Sequence, residues 1–343
     1  LKKALIHYFS GTGNSLLAAK KLSKELAKYD YEITFHSIEN GVYEKNVIYS
    51  LHIFLFPVYA TAIPHIVLKY IQKLPKGNNT NTAVISTNGR ISCNFRDGYQ
   101  GWTLLQSRLY LYLKNYNVFF TDTLDFPQNI TAFIPPRKPK FNIKIILQAF
   151  QRIPLIAEKI AKVQKYHRPF FLLNIIWSIP FGILYSLIGR RFIGKMFVAN
   201  SLCNLCKQCI EKCPVRAIQL YNRKIRWNWN CEGCMRCINT CPQQAIQTSL
   251  IRIIIFAVPC VFPFIINEFC SLEFLKQPRN YSYIIFKPML YLLSFIFYVL
   301  LFDWFIFKIS NIPILKNILS WGYTKFFRRY CAEQFEEQFL SRK

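Results

Sequence analysis

"HYFSGTGNSLL", His7 to Leu17, decides how the rest of the chain is read. A short apolar run, Ala4–Phe9, breaks into hydroxyls and glycines, and a helical pattern over Leu16–Leu26 follows at once. A strand, a tight loop and a helix N-terminus in that order gather backbone N–H groups where proteins hold phosphate. No Lys lies between Ser10 and Ala19, so the loop lacks the group that reaches the outer phosphates of a nucleoside triphosphate. Leu16 stands where a dinucleotide fingerprint needs its third glycine. What remains is S-x-T-G-N-S: Ser10, Thr12, Gly13, Asn14 and Ser15. Hydroxyl and backbone N–H groups at a helix start can hold a phosphate dianion without a cation. A purely structural strand–helix turn would use the same residues.

Outward from this loop, residues 1–135 alternate strand and helix patterns. Strands are predicted at Ala4–Phe9, Glu32–Ser37, Ile48–Pro57, Thr82–Ser86 and Val118–Thr123, and helices at Ser15–Lys28, Pro64–Leu74 and Gly98–Asn115. That alternation implies an α/β fold with a doubly wound parallel sheet. The Pro- and Lys-rich "IPPRKPK", Ile134–Lys140, is the expected domain boundary. The chain opens on Leu1, which leaves its true start open, and no secretory signal pattern stands before the first strand.

The second half is organised around an internal repeat. "CNLCKQCIEKCP" places Cys203, Cys206, Cys209 and Cys213 before Pro214, and "CEGCMRCINTCP" places Cys231, Cys234, Cys237 and Cys241 before Pro242. Both are C-x2-C-x2-C-x3-C-P, a spacing that wraps thiolates round an iron–sulfur cubane. Zinc would call for C-x2-C pairs with a longer gap between them. An Ala-Ile step follows each motif, Ala217–Ile218 and Ala245–Ile246, to pack beneath the clusters, and Gln219–Trp227 reads as a hairpin joining the halves. Eight of the 12 cysteines lie in these motifs, which points to metal in a reducing compartment rather than to disulfides. Cys93, Cys260, Cys270 and Cys331 are scattered and read as small buried hydrophobes. The five His show no ligand spacing, and no Ser/His/Asp set stands out.

Charge and hydropathy limit the partners. The chain carries 44 Lys+Arg against 17 Asp+Glu, a net +27, with both halves basic. Such a surface seeks an anion: nucleic acid, an acidic protein or the cytoplasmic lipid face. A Lys-, Ile- and Asn-rich coding bias gives the same balance. No nucleic-acid-binding module is visible, so no specific nucleic-acid partner is expected. Phe170–Ile188 is an uncharged run of 19 residues flanked by Arg168, Arg190, Arg191 and Lys195, long enough to span a bilayer although Pro180 and Gly182 weaken it. A helix in the membrane interface or a packed core helix fits it equally. Ile253–Ile266 and Pro288–Phe302 are apolar again, Asp303 closes the second, and Lys325–Lys343 is a charged tail expected to be helical.

The loop at Ser10–Ser15 resembles the FMN-phosphate loop of flavodoxins. By that resemblance the flavin ring lies between "FPVYATAIP", Phe56–Pro64, with Tyr59 stacking on it, and "STNGRISCNF", Ser86–Phe95, where Thr87, Asn88 and Gly89 approach it. Arg90 and Arg96 stand where many flavodoxins are acidic, and would dock an anion or raise the flavin potential. The paired cysteine motifs resemble two-cluster bacterial ferredoxins, in which the fourth cysteine of each motif serves the other cluster. The resemblance implies one [4Fe–4S] on Cys203, Cys206, Cys209 and Cys241 and another on Cys231, Cys234, Cys237 and Cys213.

Together the two parts resemble the EFR1-type ferredoxin family of anaerobic bacteria and some protists, over residues 1–135 and 195–250. The implied fold class is a flavodoxin-like α/β sheet with a small α+β 2[4Fe–4S] ferredoxin domain and apolar, basic helical segments. The expected domains are a flavodoxin-like FMN-binding domain at 1–135, a basic apolar linker with a membrane-contact segment at 136–194, the ferredoxin domain at 195–250 and an apolar helical region with a charged tail at 251–343. FMN and two clusters imply an electron-transfer flavo-iron–sulfur protein, cytoplasmic and resting on the anionic inner face of the membrane. Two alternatives stay open. One is a ferredoxin-type carrier or docking protein whose flavodoxin-like domain binds no flavin, and the other is a flavin-dependent reductase of a small substrate. The sequence names no catalytic residue and no redox partner.

Overall fold

The structure is a computed structural model and describes residues 1–43, 47–90, 99–170, 172–256, 281–309, 318 and 321–332. Cys93, Arg96, Cys260 and Cys270 lie outside the described residues.

Six strands form one sheet: β1 (Lys2–Tyr8), β2 (Tyr31–Ser37), β3 (Leu51–Pro57), β4 (Asn81–Arg90), β5 (Asn117–Pro127) and β6 (Tyr166–His167). Their order is β2-β1-β3-β4-β5-β6 and every pairing is parallel. The first five repeat the 2-1-3-4-5 order of the flavodoxin-like doubly wound fold. A parallel sheet is covered on both faces, so its strands alternate between two apolar layers. Ala4, Ile6, Ile53, Leu55, Ala83 and Ile85 pack with α1 (Asn14–Leu26) and α4 (Pro139–Ala161). Phe54, Phe56 and Val84 pack with α2 (His65–Lys73) and α3 (Thr103–Leu113).

Two expectations need correcting. The boundary expected at residue 135 lies inside the sheet domain. Pro139 opens α4 from its first turn, where a missing N–H costs nothing. Ala149, Ile153, Ile156, Ala157 and Ile160 of that helix are buried in the sheet core, and β6 follows as an edge strand. The tail is not helical where described: Tyr323–Phe326 is one 3-10 turn, and 327–332 run without regular structure.

A buried imidazole pair joins β1 and β3. His7 Nε2 and His52 Nδ1 share a 2.8 Å hydrogen bond, and His7 Nδ1 meets the Tyr70 hydroxyl at 2.7 Å. The His7 ring stacks on Phe54 at 4.4 Å between centroids. Burial lowers both rings, His52 to about 4 and His7 well below its ordinary value, and protonating both would set N–H against N–H. The unfolded chain therefore binds more protons than the native one between about pH 6.5 and 4, so stability is complete above that window and falls with pH inside it. His52 alone is expected to remove about 2 kcal/mol by pH 5. Urea midpoints from pH 7.5 to 5 check this, and a His52→Gln variant is expected to show the shallower slope.

The second domain is a two-sheet unit. β7 (Phe197–Ala199) pairs antiparallel with β10 (Ile246–Thr248), and β8 (Ile218–Tyr221) with β9 (Lys224–Trp227). Asn222 and Arg223 both take positive φ, the mark of a type I′ hairpin turn, at the hairpin expected over Gln219–Trp227. The short helices α7 (Gln208–Glu211) and α8 (Arg236–Thr240) lie within the cysteine motifs. Ala217, Ile218, Ala245 and Ile246 are buried, as the Ala-Ile steps predict.

A long helix ties the domains together. α5 (Leu172–Leu184), a π-helical turn at Tyr185–Gly189 and α6 (Arg190–Met196) follow one another without a break. By length and composition Leu172–Met196 is apolar enough to cross a membrane. Here it lies along the protein. The Thr61 hydroxyl donates to the Ser178 carbonyl at 2.8 Å, and Arg190 donates to the Cys231 carbonyl at 3.0 Å. Its outer side leaves Leu173, Ile176, Trp177 and Leu187 exposed. A further apolar helix, α9 (Tyr281–Ile309), is pinned beside it through Asp303, which pairs with buried Lys195 at 2.7 Å and with Arg226 at 3.4 Å.

Candidate functional site

The carboxyl ends of β1, β3, β4 and β5 open on a cavity of about 940 Å³ lined by Ser10, Thr12, Asn14, Ser15, Tyr59, Thr87, Asn88 and Gly89, among others. Of the nine residues expected to meet a flavin, only Gly13 is not part of its wall. Gly13 instead makes the turn. Its φ of 99° is left-handed, and its N–H donates to Ser10 Oγ at 3.1 Å. α1 begins at the next residue, and the first N–H groups of a helix have no intrahelical partner. With the hydroxyls of Ser10, Thr12 and Ser15 in the wall, the donor set suits a phosphate dianion.

Two roles differ from expectation. Thr87, Asn88 and Gly89 are not in a loop. β4 runs to Arg90 because Leu124–Pro127 extend β5 alongside it, so the Thr87 backbone is already in the ladder. The Thr87 side chain shares a 2.7 Å hydrogen bond with Ser15. Asn14 is a brace: its amide donates to the Pro127 carbonyl at 2.9 Å, and its oxygen accepts from the Tyr330 hydroxyl at 2.6 Å.

Tyr59 stands at a tight turn. It exchanges both backbone hydrogen bonds with Ala62 at 3.0 Å, with Ala60 and Thr61 at positive φ between them. A β-branched residue at φ 75° is strained, and Thr61 is held there by its bonds to Ser178 and to the Trp102 N–H. The Tyr59 ring is half-buried against Phe9, while its hydroxyl is buried with no hydrogen-bond partner among the described residues. A β-carbon on Gly11 would collide with that hydroxyl and with the Cys234 carbonyl oxygen. The Ser10–Ser15 loop, the Tyr59 turn and the second cysteine motif therefore converge on one point.

The cysteines gather in crossed sets. Cys209 is within electrostatic reach of Cys203, Cys206 and Cys241, and Cys237 of Cys231, Cys234 and Cys213. The Ala217 N–H donates to Cys213 Sγ at 3.2 Å and the Ala245 N–H to Cys241 Sγ at 3.3 Å, so each Ala-Ile step steadies the fourth sulfur of its motif. Among the described residues no trio of His, Cys, Asp or Glu suits a single metal ion. A cubane, which presents one iron to each of four thiolates, takes a wider set. Burial pushes the thiols of Cys209 and Cys231 up to about 12, so loading such a group releases protons. Cys231 and Cys234 are buried on the cavity side, whereas Cys206 is exposed.

Sequence reasoning missed the residues that join the halves. Arg236, fully buried, donates to the carbonyls of Gly11 at 3.1 Å, Ser10 at 2.7 Å and Lys212 at 2.8 Å, and pairs with Glu39. Glu232 accepts from the Ile66 N–H at 3.1 Å, at the start of α2. Asn129 donates to Thr12 Oγ1 at 2.6 Å, and Asn239 accepts from Thr131 at 2.8 Å and from the Tyr330 N–H at 3.0 Å. The Ala332 N–H donates to the Thr12 carbonyl at 2.9 Å, which ties the tail to the Ser10–Ser15 loop. The one available signal was Arg236 itself, a cation set between two ligand cysteines.

The 4Fe-4S dicluster domain family matches residues 195–242. Solved structures similar to the chain include oxidised flavodoxin 2 of Bacillus cereus, at 15% identity over 48% of this chain and 99% of that one, with a TM-score of 0.34. Megasphaera elsdenii flavodoxin shares 15% identity over 35% of this chain and 84% of its own, with a TM-score of 0.30. Bacillus anthracis azoreductase shares 10% identity over 46% and 100%, with a TM-score of 0.33. No curated protein matches the sequence. The fold is identified by its strand order, and the iron–sulfur domain by its matched motif.

Proposed function

We propose that the chain is an electron-transfer protein of the EFR1 type, holding FMN in the sheet domain and two [4Fe–4S] clusters in the cysteine domain. One observation carries this reading: the Gly11 loop and the Tyr59 hydroxyl abut Cys234, so a flavin site and a cluster site share a wall. When bound, the clusters supply one-electron transfer and FMN the exchange between one- and two-electron transfer. The protein's own part is positional. Ser10, Thr12 and Ser15 hold the phosphate, Tyr59 and the end of β4 border the ring, and Arg236 fixes the two domains at close range. The exposed Cys206 end receives electrons from a partner, and the buried Cys231 and Cys234 end passes them inward.

The test is the visible spectrum of protein purified without oxygen, with acid-released flavin, iron and sulfide counted. One FMN and about eight iron atoms per chain are expected. The same iron with no flavin, even after FMN is added, would leave a ferredoxin on a silent flavodoxin-like scaffold.

A further inference from the structure

The cavity is larger than its hydroxyl-lined end requires. Beyond Tyr59 its wall changes character: Phe181, Leu184, Ile188, Phe192, Phe256 and Phe295 replace the hydroxyls. Phe192 is edge-on to Phe256 at 5.5 Å and meets Phe295 at 6.1 Å, so this end is bounded by aromatic rings from three helical segments. Phe181 and Leu184 line the cavity and yet are 55% and 56% exposed. The apolar end therefore opens on the face where Leu173, Ile176, Trp177 and Leu187 also stand in solvent. A ligand entering there passes Phe181 and Leu184, with Tyr99 and Tyr185 as hydroxyl-bearing side chains of the same lining. Gly233 and Met235, on either side of Cys234, lie in the same wall.

We propose that the apolar end of this cavity binds a lipid-soluble quinone, which the chain reduces. Aromatic walls suit a planar ring, an apolar mouth suits its alkyl tail, and the adjoining cysteine loop supplies a path for electrons. The assignment rests on the electron-transfer reading above. The quinone takes two electrons and two protons and leaves as the quinol. In exchange, two one-electron donors of the ferredoxin class, docked at the exposed Cys206 end, are oxidised, and the protons come from water at the hydroxyl-lined end.

The experiment uses the full chain with its clusters loaded and a decyl-substituted benzoquinone as the probe. Binding is read by quenching of tryptophan emission, and electron transfer by the return of the oxidised-cluster spectrum in pre-reduced protein. Ile188→Trp fills the apolar end. Leu184→Glu puts a charge at the mouth, on a side chain exposed enough to leave folding intact. Each is expected to weaken binding and slow reoxidation at least tenfold, with iron and flavin content unchanged. No saturable binding, equal binding by both variants, or equal displacement by decanoate would overturn the quinone site. A probe that binds but leaves the clusters reduced would overturn the redox step. Probe binding and reoxidation that follow the variants in a preparation holding iron but no flavin would support the site while retiring FMN.

Discussion

Removing Cys206 and Cys241 together is expected to leave the chain about half of its iron, whereas removing Cys206 and Cys213 together takes nearly all of it. The prediction follows from which sulfurs the fold gathers. Cys241 belongs to the second motif in sequence but faces Cys209 of the first, and Cys213 belongs to the first motif but faces Cys231 and Cys237 of the second. The Cys206→Ala/Cys241→Ala pair then damages one cluster twice, and the Cys206→Ala/Cys213→Ala pair damages both clusters once. Ligation within each motif would reverse the result, because Cys206 and Cys213 would then share a cluster. Iron and sulfide per chain, measured without oxygen, decide between the two. Each double variant removes one sulfur held by an Ala-Ile step, Cys241 in one and Cys213 in the other, so a loss of packing there is common to both and does not decide the comparison.

The two cysteine motifs were legible because their spacing is short, whereas the crossed sets came only through the resemblance to two-cluster ferredoxins. C-x2-C-x2-C-x3-C-P places its thiolates through local turns, and the repeat of the motif brings the two halves together. The sheet was legible for a similar reason. Apolar runs such as Leu5–Ile6 and Ile53–Phe56 are buried on both faces, and a run of that kind between helical patterns admits few folds other than a parallel one. The extent of the elements was less legible. Proline in "IPPRKPK" reads as a break, yet Pro139 occupies the one part of a helix that accepts it, and Ile153, Ile156 and Ile160 carry α4 back to the sheet. The ends of β4 and β5 were read short because Thr87–Gly89 carries turn residues. The pairing of Thr87 with Pro57 and Leu124, and of Asn88 with Asp125, makes strand of them.

The coupling of the domains was not legible, since it rests on partners far apart in the chain. Tyr330 meets Asn14 across most of the sequence, and Asp303 finds Lys195 and Arg226 only once α9 lies beside α6. Nothing local marks Asp303 as other than the end of an apolar run. The same holds for the aromatic end of the cavity. Phe181 and Phe295 read as residues of separate apolar runs and Phe192 as part of a basic flank, and they become a wall only when the segments are side by side.

Arg236→Met is expected to be the most damaging single change outside the cysteines, because it strikes this coupling at its centre. Arg236 satisfies the carbonyls of Ser10, Gly11 and Lys212 and pairs with Glu39, whose side chain keeps 20% of its exposure. Methionine fills the volume but leaves the buried carbonyls of Ser10 and Gly11, the half-buried carbonyl of Lys212 and one carboxylate without this donor. Breaking one partner of a fully buried ion pair costs about 3–5 kcal/mol, and the partial exposure of Glu39 places this change at the lower end of that range. The loss is expected to fall on the junction rather than on either core, because Arg236, at the start of α8 in the cysteine domain, reaches across to the backbone of the Ser10–Ser15 loop as well as to Lys212 in its own domain. Iron content is therefore expected to persist while FMN affinity drops at least tenfold. Arg236→Lys separates charge from shape. A single ammonium answers Glu39 but does not span three carbonyls as a guanidinium fork does, so it is expected to recover part of the stability and little of the FMN affinity. The checks are the urea midpoint and flavin fluorescence titration of both variants against the parent chain. Unchanged FMN affinity in Arg236→Met would mean that the phosphate loop keeps its form without the second domain, and that the two halves are neighbours rather than one electron-transfer unit.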